Sequence, residues 1–271
     1  MIGVELHKMV RDRRTWVTIG LLDALPTLVA ILLAVTDLGP RPGTGPAFLS
    51  AVLADGKLFP LAAIAIVLPL FMPAAVAVVA GDAIAGEAQS GTLRYVLVRP
   101  VGRTRLLVAK LVSVVSFVLL AVLVVAATAY ITGSLLLGNQ SIAATTTSVS
   151  GTALSTQELA GRTGLALVYA ILSMLGVAAI ALFLSTVTES PLAAALGTLA
   201  VLIASTLLLT LDAATSLHPY LPTRYWLSFV DLFRDPILWR NVGRGAGLQA
   251  AYVVVFLAAA WANFTTKDVT D

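Results

Sequence analysis

Cysteine is absent from the 271 residues. That excludes disulfides, thiolate metal sites and a cysteine nucleophile. Histidine is nearly absent: His7 and His218 stand far apart in the chain, so a zinc or iron centre would have to rest on scattered carboxylates, and no metal site is expected. Charge is scarce as well. Only 11% of the residues are Asp, Glu, Lys or Arg, against about 25% in soluble domains. No G-x-x-x-x-G-K-[ST] phosphate loop, G-x-S-x-G elbow or H-E-x-x-H pair occurs. The chain is therefore expected to bind no nucleotide or other cofactor itself and to carry no catalytic residues; it reads as a protein that is not an enzyme.

What the sequence has in excess is apolar surface. Hydrophobic residues make up 59%, and the mean hydropathy is +0.96. An integral membrane protein follows, all-α and polytopic, with the whole chain as one transmembrane domain. A helix crossing the hydrocarbon core needs about 20 residues. Six segments meet this or come close: 16–36, 58–80, 106–133, 165–187, 192–211 and 248–264. The first begins after a charged segment and lacks an A-x-A site, so it is expected to act as an uncleaved anchor. The formal charge of +3 reflects basic membrane-flanking loops rather than nucleic-acid binding.

Along the chain, residues 2–14 place Val4, Leu6, Met9 and Val10 as an apolar stripe, with Lys8, Arg11, Arg13 and Arg14 toward headgroups; an interfacial helix is expected. Asp23 and Pro26 are expected to interrupt the first span, and Asp23 is a candidate intramembrane polar site. Pro60, Pro69 and Pro73 predict kinks in the second span. Residues 134–164, rich in Ser, Thr, Gly and Ala, read as an external loop. Ser190 fits an N-cap before Pro191 at the first helical position. Residues 212–247 are too charged to span but rich in aromatics, and two short half-buried external helices broken near Pro236 would account for them.

The densest charge in the middle of the chain lies in residues 81–110, between the second and third spans. It holds Arg94, Arg99, Arg103, Arg105 and Lys110 against Asp82 and Glu87. A basic loop between spans faces the cytoplasm. Gly86 and Gly91 would let the chain turn as it leaves the bilayer. Residues 92–98 can form about two helical turns with Leu93, Val96 and Leu97 on one face. Pro100 biases Arg99 away from helix and Gly102 follows, after which Thr104 could cap the next helix. The expected product is a short amphipathic helix tied at both ends to transmembrane helices. Glu87, where a helix leaves the bilayer among basic residues, reads either as a coupling residue or as a structural salt bridge.

These residues carry a family resemblance. Gly86-Glu87, Gly91-Thr92-Leu93, Leu97, Pro100-Val101, Arg103 and Lys110 resemble the cytoplasmic loop of type 2 ABC exporter permeases, in the branch with a separate ATPase. The opening Glu5, Lys8 and residues 11–16 resemble that family's N-terminus. Gly102 stands where the family usually has Ser. The resemblance implies a coupling helix in the ATPase cleft, formed around Gly86, Glu87, Gly91, Thr92, Leu93, Arg94, Val96, Leu97, Arg99, Pro100 and Arg103. It implies an ABC ATPase dimer as partner, holding the ATP and Mg, and a second permease copy or homologue. It also implies a cell-membrane exporter in the bacterial cytoplasmic membrane, with short external helices roofing the pathway. The few polar groups in the spans suit a hydrophobic or amphipathic substrate.

Six spans put both termini on one side. Ten of the Lys and Arg residues then fall inside and seven outside, with the bias strongest in the first two inner segments, so both termini are expected to be cytoplasmic. Two other classes stand beside the permease. A stand-alone secondary transporter would need coupling-ion sites, for which Asp23 is the plausible acid. A membrane-embedded enzyme of lipid metabolism would need interfacial acids, for which Asp231 and Asp235 are thin support.

Overall fold

A computed structural model describes residues 2–36, 56–91, 102–137, 146–147 and 153–266. Eight α-helices are found among them: α1 (Ile2–Arg11), α2 (Arg13–Val35), α3 (Phe59–Val67), α4 (Phe71–Gln89), α5 (Arg103–Leu136), α6 (Thr156–Val187), α7 (Pro191–Leu208) and α8 (Trp239–Thr266). Six of these, all but α1 and α3, are long and apolar enough to cross a membrane. The chain is a multi-pass membrane protein. Two antiparallel residue pairs, Thr146 with Leu154 and Thr147 with Ala153, form a minimal ladder of strands β1 (Thr146–Thr147) and β2 (Ala153–Leu154) before α6.

Several helix ends differ from the hydropathy reading, each for a local reason. α2 runs unbroken through Asp23 and Pro26. Its neighbours absorb the defect: Pro26 is buried, and the Thr128 hydroxyl of α5 lies 2.7 Å from Asp23 Oδ1. The second crossing has one break, not three kinks. Pro60 sits in the first turn of α3 and Pro73 in the first turn of α4, where no intrahelical N–H bond is lost. Only Pro69 falls in the turn at 68–70 that separates the two helices. α6 starts nine residues earlier than the apolar run because Ser155 and Glu158 form a capping box: Ser155 Oγ accepts from the Glu158 amide at 3.2 Å, and Glu158 Oε2 accepts from the Ser155 amide at 2.9 Å. Ser190 caps α7 with Pro191 in its first turn, as expected.

The segment before α8 forms three short 3-10 helices, Asp212–Ala214, His218–Tyr220 and Trp226–Phe233, rather than two helices. The cis Asp235–Pro236 bond follows them. Phe229, Leu232 and Phe233 are buried beneath. Side chains from two spanning helices hold this segment by its backbone. Tyr169 of α6 donates to the Tyr225 carbonyl at 2.7 Å, Arg162 to the Arg234 carbonyl at 2.8 Å, and Gln249 of α8 to the Pro222 carbonyl at 2.7 Å. Gln249 also presses on Gly176, where a β-carbon would displace it. That close approach joins α6 to α8, the most extensive helix pair.

α4 is held differently. Ser185 of α6 donates to the Gly81 carbonyl at 2.7 Å and accepts from the Ile84 and Ala85 amides at 3.0 and 2.9 Å. The hydroxyl thus stands within the i to i−4 ladder of α4, a recognised cause of local bending. On its other side, Gly81 approaches the start of α7 so closely that a β-carbon would lie 3.1 Å from the Ala195 amide nitrogen. α4, α6 and α7 are pinned together at this level.

Ser185→Ala should therefore cost about 1–3 kcal/mol, the usual penalty for stranding buried polar groups. Thermal unfolding in detergent measures it; an unchanged midpoint would mean that the α4 ladder closes without the hydroxyl.

Candidate functional site

The most heavily charged site lies at the end of the bundle carrying α1, the start of α5 and the end of α4. α1 brings Glu5 and Lys8 to one side by their i, i+3 spacing, and buries Met9 beneath them. Leu6 is half-buried, whereas Val4 and Val10 of the expected apolar stripe are exposed. Asp12 caps α2, its Oδ1 accepting from the Arg14 amide at 2.9 Å. The Trp16 indole donates to the Val10 carbonyl at 2.7 Å, fixing the corner between α1 and α2.

Lys110 is the centre. Its side chain is only 4% exposed, and its Nζ pairs with Glu5 Oε2 at 2.9 Å and with Glu87 Oε1. Lys8 lies 3.5 Å from the same Glu87 oxygen. Two ammonium groups thus meet two carboxylates, and one buried lysine ties α1, α4 and α5 together. Lys110 is seven residues into α5, about 10 Å along it. α5 is 34 residues long, roughly 50 Å, which exceeds the hydrocarbon core of about 30 Å. Its first turns can therefore reach the headgroup level, where a buried charge is less costly than at mid-membrane.

The residues expected to form the coupling site divide into two groups. Thr92, Leu93, Arg94, Val96, Leu97, Arg99 and Pro100 lie outside the described residues. Gly86, Glu87, Gly91 and Arg103 frame them. Gly86 is not a turn residue: it lies inside α4, and the Asp82 carboxylate packs where its side chain would be. Gly91 does make the turn, with φ +68, the left-handed conformation that glycine adopts without strain just past a helix end. Thr104 is not the cap of α5; Gly102 holds that position without a side-chain bond. Thr104 instead accepts from the Trp261 indole at 3.0 Å. Arg103 donates to the Thr265 carbonyl at 3.1 Å, a cation placed on the negative end of α8. Glu87 takes the salt-bridge position. Asp23 is elsewhere, ten residues into α2 and so about 15 Å along it, paired with Thr128 and separate from the charged end.

Lys110 was read as a loop cation and as a residue of the family motif, but was not placed among the site residues. A usable signal existed: a lone lysine two turns into a long apolar helix, with acids available on two neighbouring segments, calls for a partner.

Residues 46–270 match a family described as "Protein of unknown function (DUF2705)". No curated protein matches the chain.

Removing one member of a buried ion pair strands its partner and costs about 3–5 kcal/mol. Lys110→Met should lower the thermal midpoint strongly. Arg105→Met, at an exposed position on the same helix, should stay within about 0.5 kcal/mol. Equal midpoints for the two variants would show that the centre does not hold the helices.

Proposed function

The chain belongs to the DUF2705 family, and we propose that it is the transmembrane permease subunit of an ATP-binding cassette transporter, exporting a hydrophobic or amphipathic substrate. A separate ATPase subunit dimer supplies the ATP hydrolysis and holds the Mg. Two permease copies, or one copy and a homologue, line the pathway. The α1 end of the bundle faces the cytoplasm of a bacterial cell, and the 3-10 helices lie outside.

One observation carries this reading. The motif-bearing connection between α4 and α5 is anchored at both bases. On one side stand the left-handed turn at Gly91 and the ion pairs of Glu87; on the other, Arg103 is bonded to the end of α8. A push on that connection is delivered to α4. Further along α4 are the Ser185 insertion and then the break at 68–70. Beside the break is an apolar cavity of about 200 Å³, bordered by Pro69, Pro73, Leu202 and Trp226. Its lining suits an apolar or amphipathic substrate. ATPase closure would thus reach the pathway through a helix clasped by Ser185 and separated from α3 by the break at 68–70.

Asp23 favours a second reading. An acid at mid-depth, bonded to a threonine of another span, is the kind of group that ion-coupled secondary transport uses. Transport by the chain without any ATPase would establish that reading in place of the first.

The contact itself is testable. Full burial of a leucine contributes about 1.5–3 kcal/mol, and a carboxylate in an apolar groove adds desolvation. Leu97→Asp should weaken ATPase association at least tenfold, since about 1.4 kcal/mol is one decade of affinity. Arg94→Ala should cost less, as exposed ion pairs contribute about 0–1 kcal/mol. Full ATPase binding and transport by Leu97→Asp would remove the helix as the contact.

Orientation can be read separately, because the chain has no cysteine. Ser148→Cys and Thr215→Cys should react with an impermeant maleimide from outside, and Gly102→Cys only after permeabilisation. External labelling of Gly102→Cys would reverse the topology.

A further inference from the structure

Three arginines crowd the corner between α1 and α2. Arg11 ends α1, and Arg13 and Arg14 open α2. Lying within four consecutive residues, they have Cα atoms no more than about 11 Å apart. All three are exposed, and among the described residues none of their guanidinium groups has a hydrogen-bond or ion-pair partner. The acid between them, Asp12, is committed to the start of α2, its Oδ1 accepting from the Arg14 amide at 2.9 Å. Three cations thus stand against one carboxylate. The corner is also fixed in shape, because the Trp16 indole donates to the Val10 carbonyl at 2.7 Å.

The helix below shows what these cations face. α2 has 23 residues, about 34 Å, so it crosses a hydrocarbon core of about 30 Å with its first turn at the headgroup level. That placement favours a bilayer over a soluble polyanion. Val17, Leu21 and Leu28 are exposed and follow Arg13 at i+4, i+8 and i+15, on one face of the helix. Arg14 borders the same face. Basic side chains therefore stand at the head of an apolar stripe that runs from Val17 to Leu28, about 16 Å. A phospholipid has the same order, a charged headgroup and then an acyl chain. Guanidinium groups pair with phosphate through two parallel hydrogen bonds. The surplus of cations selects the headgroup's net charge: a zwitterion brings an ammonium back to a basic corner, whereas an anionic headgroup brings only negative charge.

We propose that the α1–α2 corner and the exposed face of α2 bind an anionic phospholipid of the adjoining leaflet. Its phosphodiester rests on Arg13 and Arg14, and its acyl chain runs along Val17, Leu21 and Leu28. The site requires no ATPase and no particular orientation of the chain, so it and the permease reading can fail separately.

The test uses the purified full chain, delipidated in detergent and titrated with dioleoyl phosphatidylglycerol, phosphatidylcholine or phosphatidylethanolamine. Binding is read by native mass spectrometry. Phosphatidylglycerol should be retained at least about fivefold over the two zwitterionic lipids, the scale of one basic residue at an anionic surface. Arg13→Gln and Arg14→Gln should each reduce that advantage, and the double variant should bring the three lipids within about twofold of one another. Arg13→Lys should keep most of it. Arg240 is exposed at the start of α8, at the opposite end of the bundle, and Arg240→Gln should leave the advantage unchanged. Thermal midpoints equal to the parent's show that the variants are folded. Equal retention of the three lipids by the parent, an advantage that survives the double variant, or one lost equally in Arg240→Gln overturns the site. Soluble glycerophosphoglycerol that fails to displace the lipid supports the role of the apolar stripe, whereas full displacement at low millimolar concentration overturns it. Disulfide crosslinking of Leu21→Cys between copies in lipid-replete samples would assign the face to a second copy and overturn the lipid; its absence supports the lipid.

Discussion

A lysine ammonium held out of water is the constraint on which the charged end of this molecule depends. Removing an ion from water costs several kcal/mol even after relaxation, and only close partners repay it. Lys110 obtains them from two helices that are distant in sequence, Glu5 of α1 and Glu87 of α4. The pairing therefore does more than neutralise charge. It decides where α1 lies and sets the end of α4 against α5. From there the chain must leave α4 through the turn at Gly91 and return at Gly102. The rest of this end is arranged around that geometry: Asp12 and Trp16 fix the corner into α2, and Arg103 draws the end of α8 to the start of α5.

Along α4 the type of restraint changes. Near the charged end it is ionic. One turn further, Ser185 enters the backbone ladder, and Gly81 lets α7 approach. At the far end the helix stops at 68–70 and resumes as α3. α4 is thus held by charge at one end, clasped by a hydroxyl at its Gly81–Ala85 turn, and bounded by the 68–70 turn at the other end. α6 and α8 contrast with it. They pack along each other and are tied to the 3-10 segment by Tyr169 and Gln249. α4 for its part is pinned to α6 and α7 through Ser185 and Gly81.

Much of the fold was legible because hydropathy over about 20 residues is a strong signal. The number of crossings and the Ser190 cap could be read directly, but the second span was expected at 58–80 and the helix long enough to cross there is Phe71–Gln89. The errors came where polar residues extend a helix beyond its apolar run. Ser155 and Glu158 announce the start of α6 in their S-x-x-E spacing, but a window centred on apolar residues passes over them. The first turns of α8, with Arg240, Asn241 and Arg244, were hidden in the same way. Gly86 was misplaced because a glycine in a charged stretch reads as a turn, whereas here it makes room for Asp82. The ion-pair centre joins residues 105 and 23 positions apart, and no local pattern reveals such a contact. Glu87 was visible as a functional acid; its partner Lys110 was visible as a loop cation and a residue of the family motif, but not as the acid's partner.

The proposal that this centre positions the α4–α5 connection for a separate ATPase is tested most directly by a double-mutant cycle on ATPase affinity. The readout is binding of the separate ATPase to Glu87→Gln, Lys110→Met and the combined variant. If the two groups act as one unit, each single change weakens binding and the double change is no worse than the more damaging single one, a non-additivity typical of residues in one network. Losses that simply add, or full affinity in all three variants, would contradict the account.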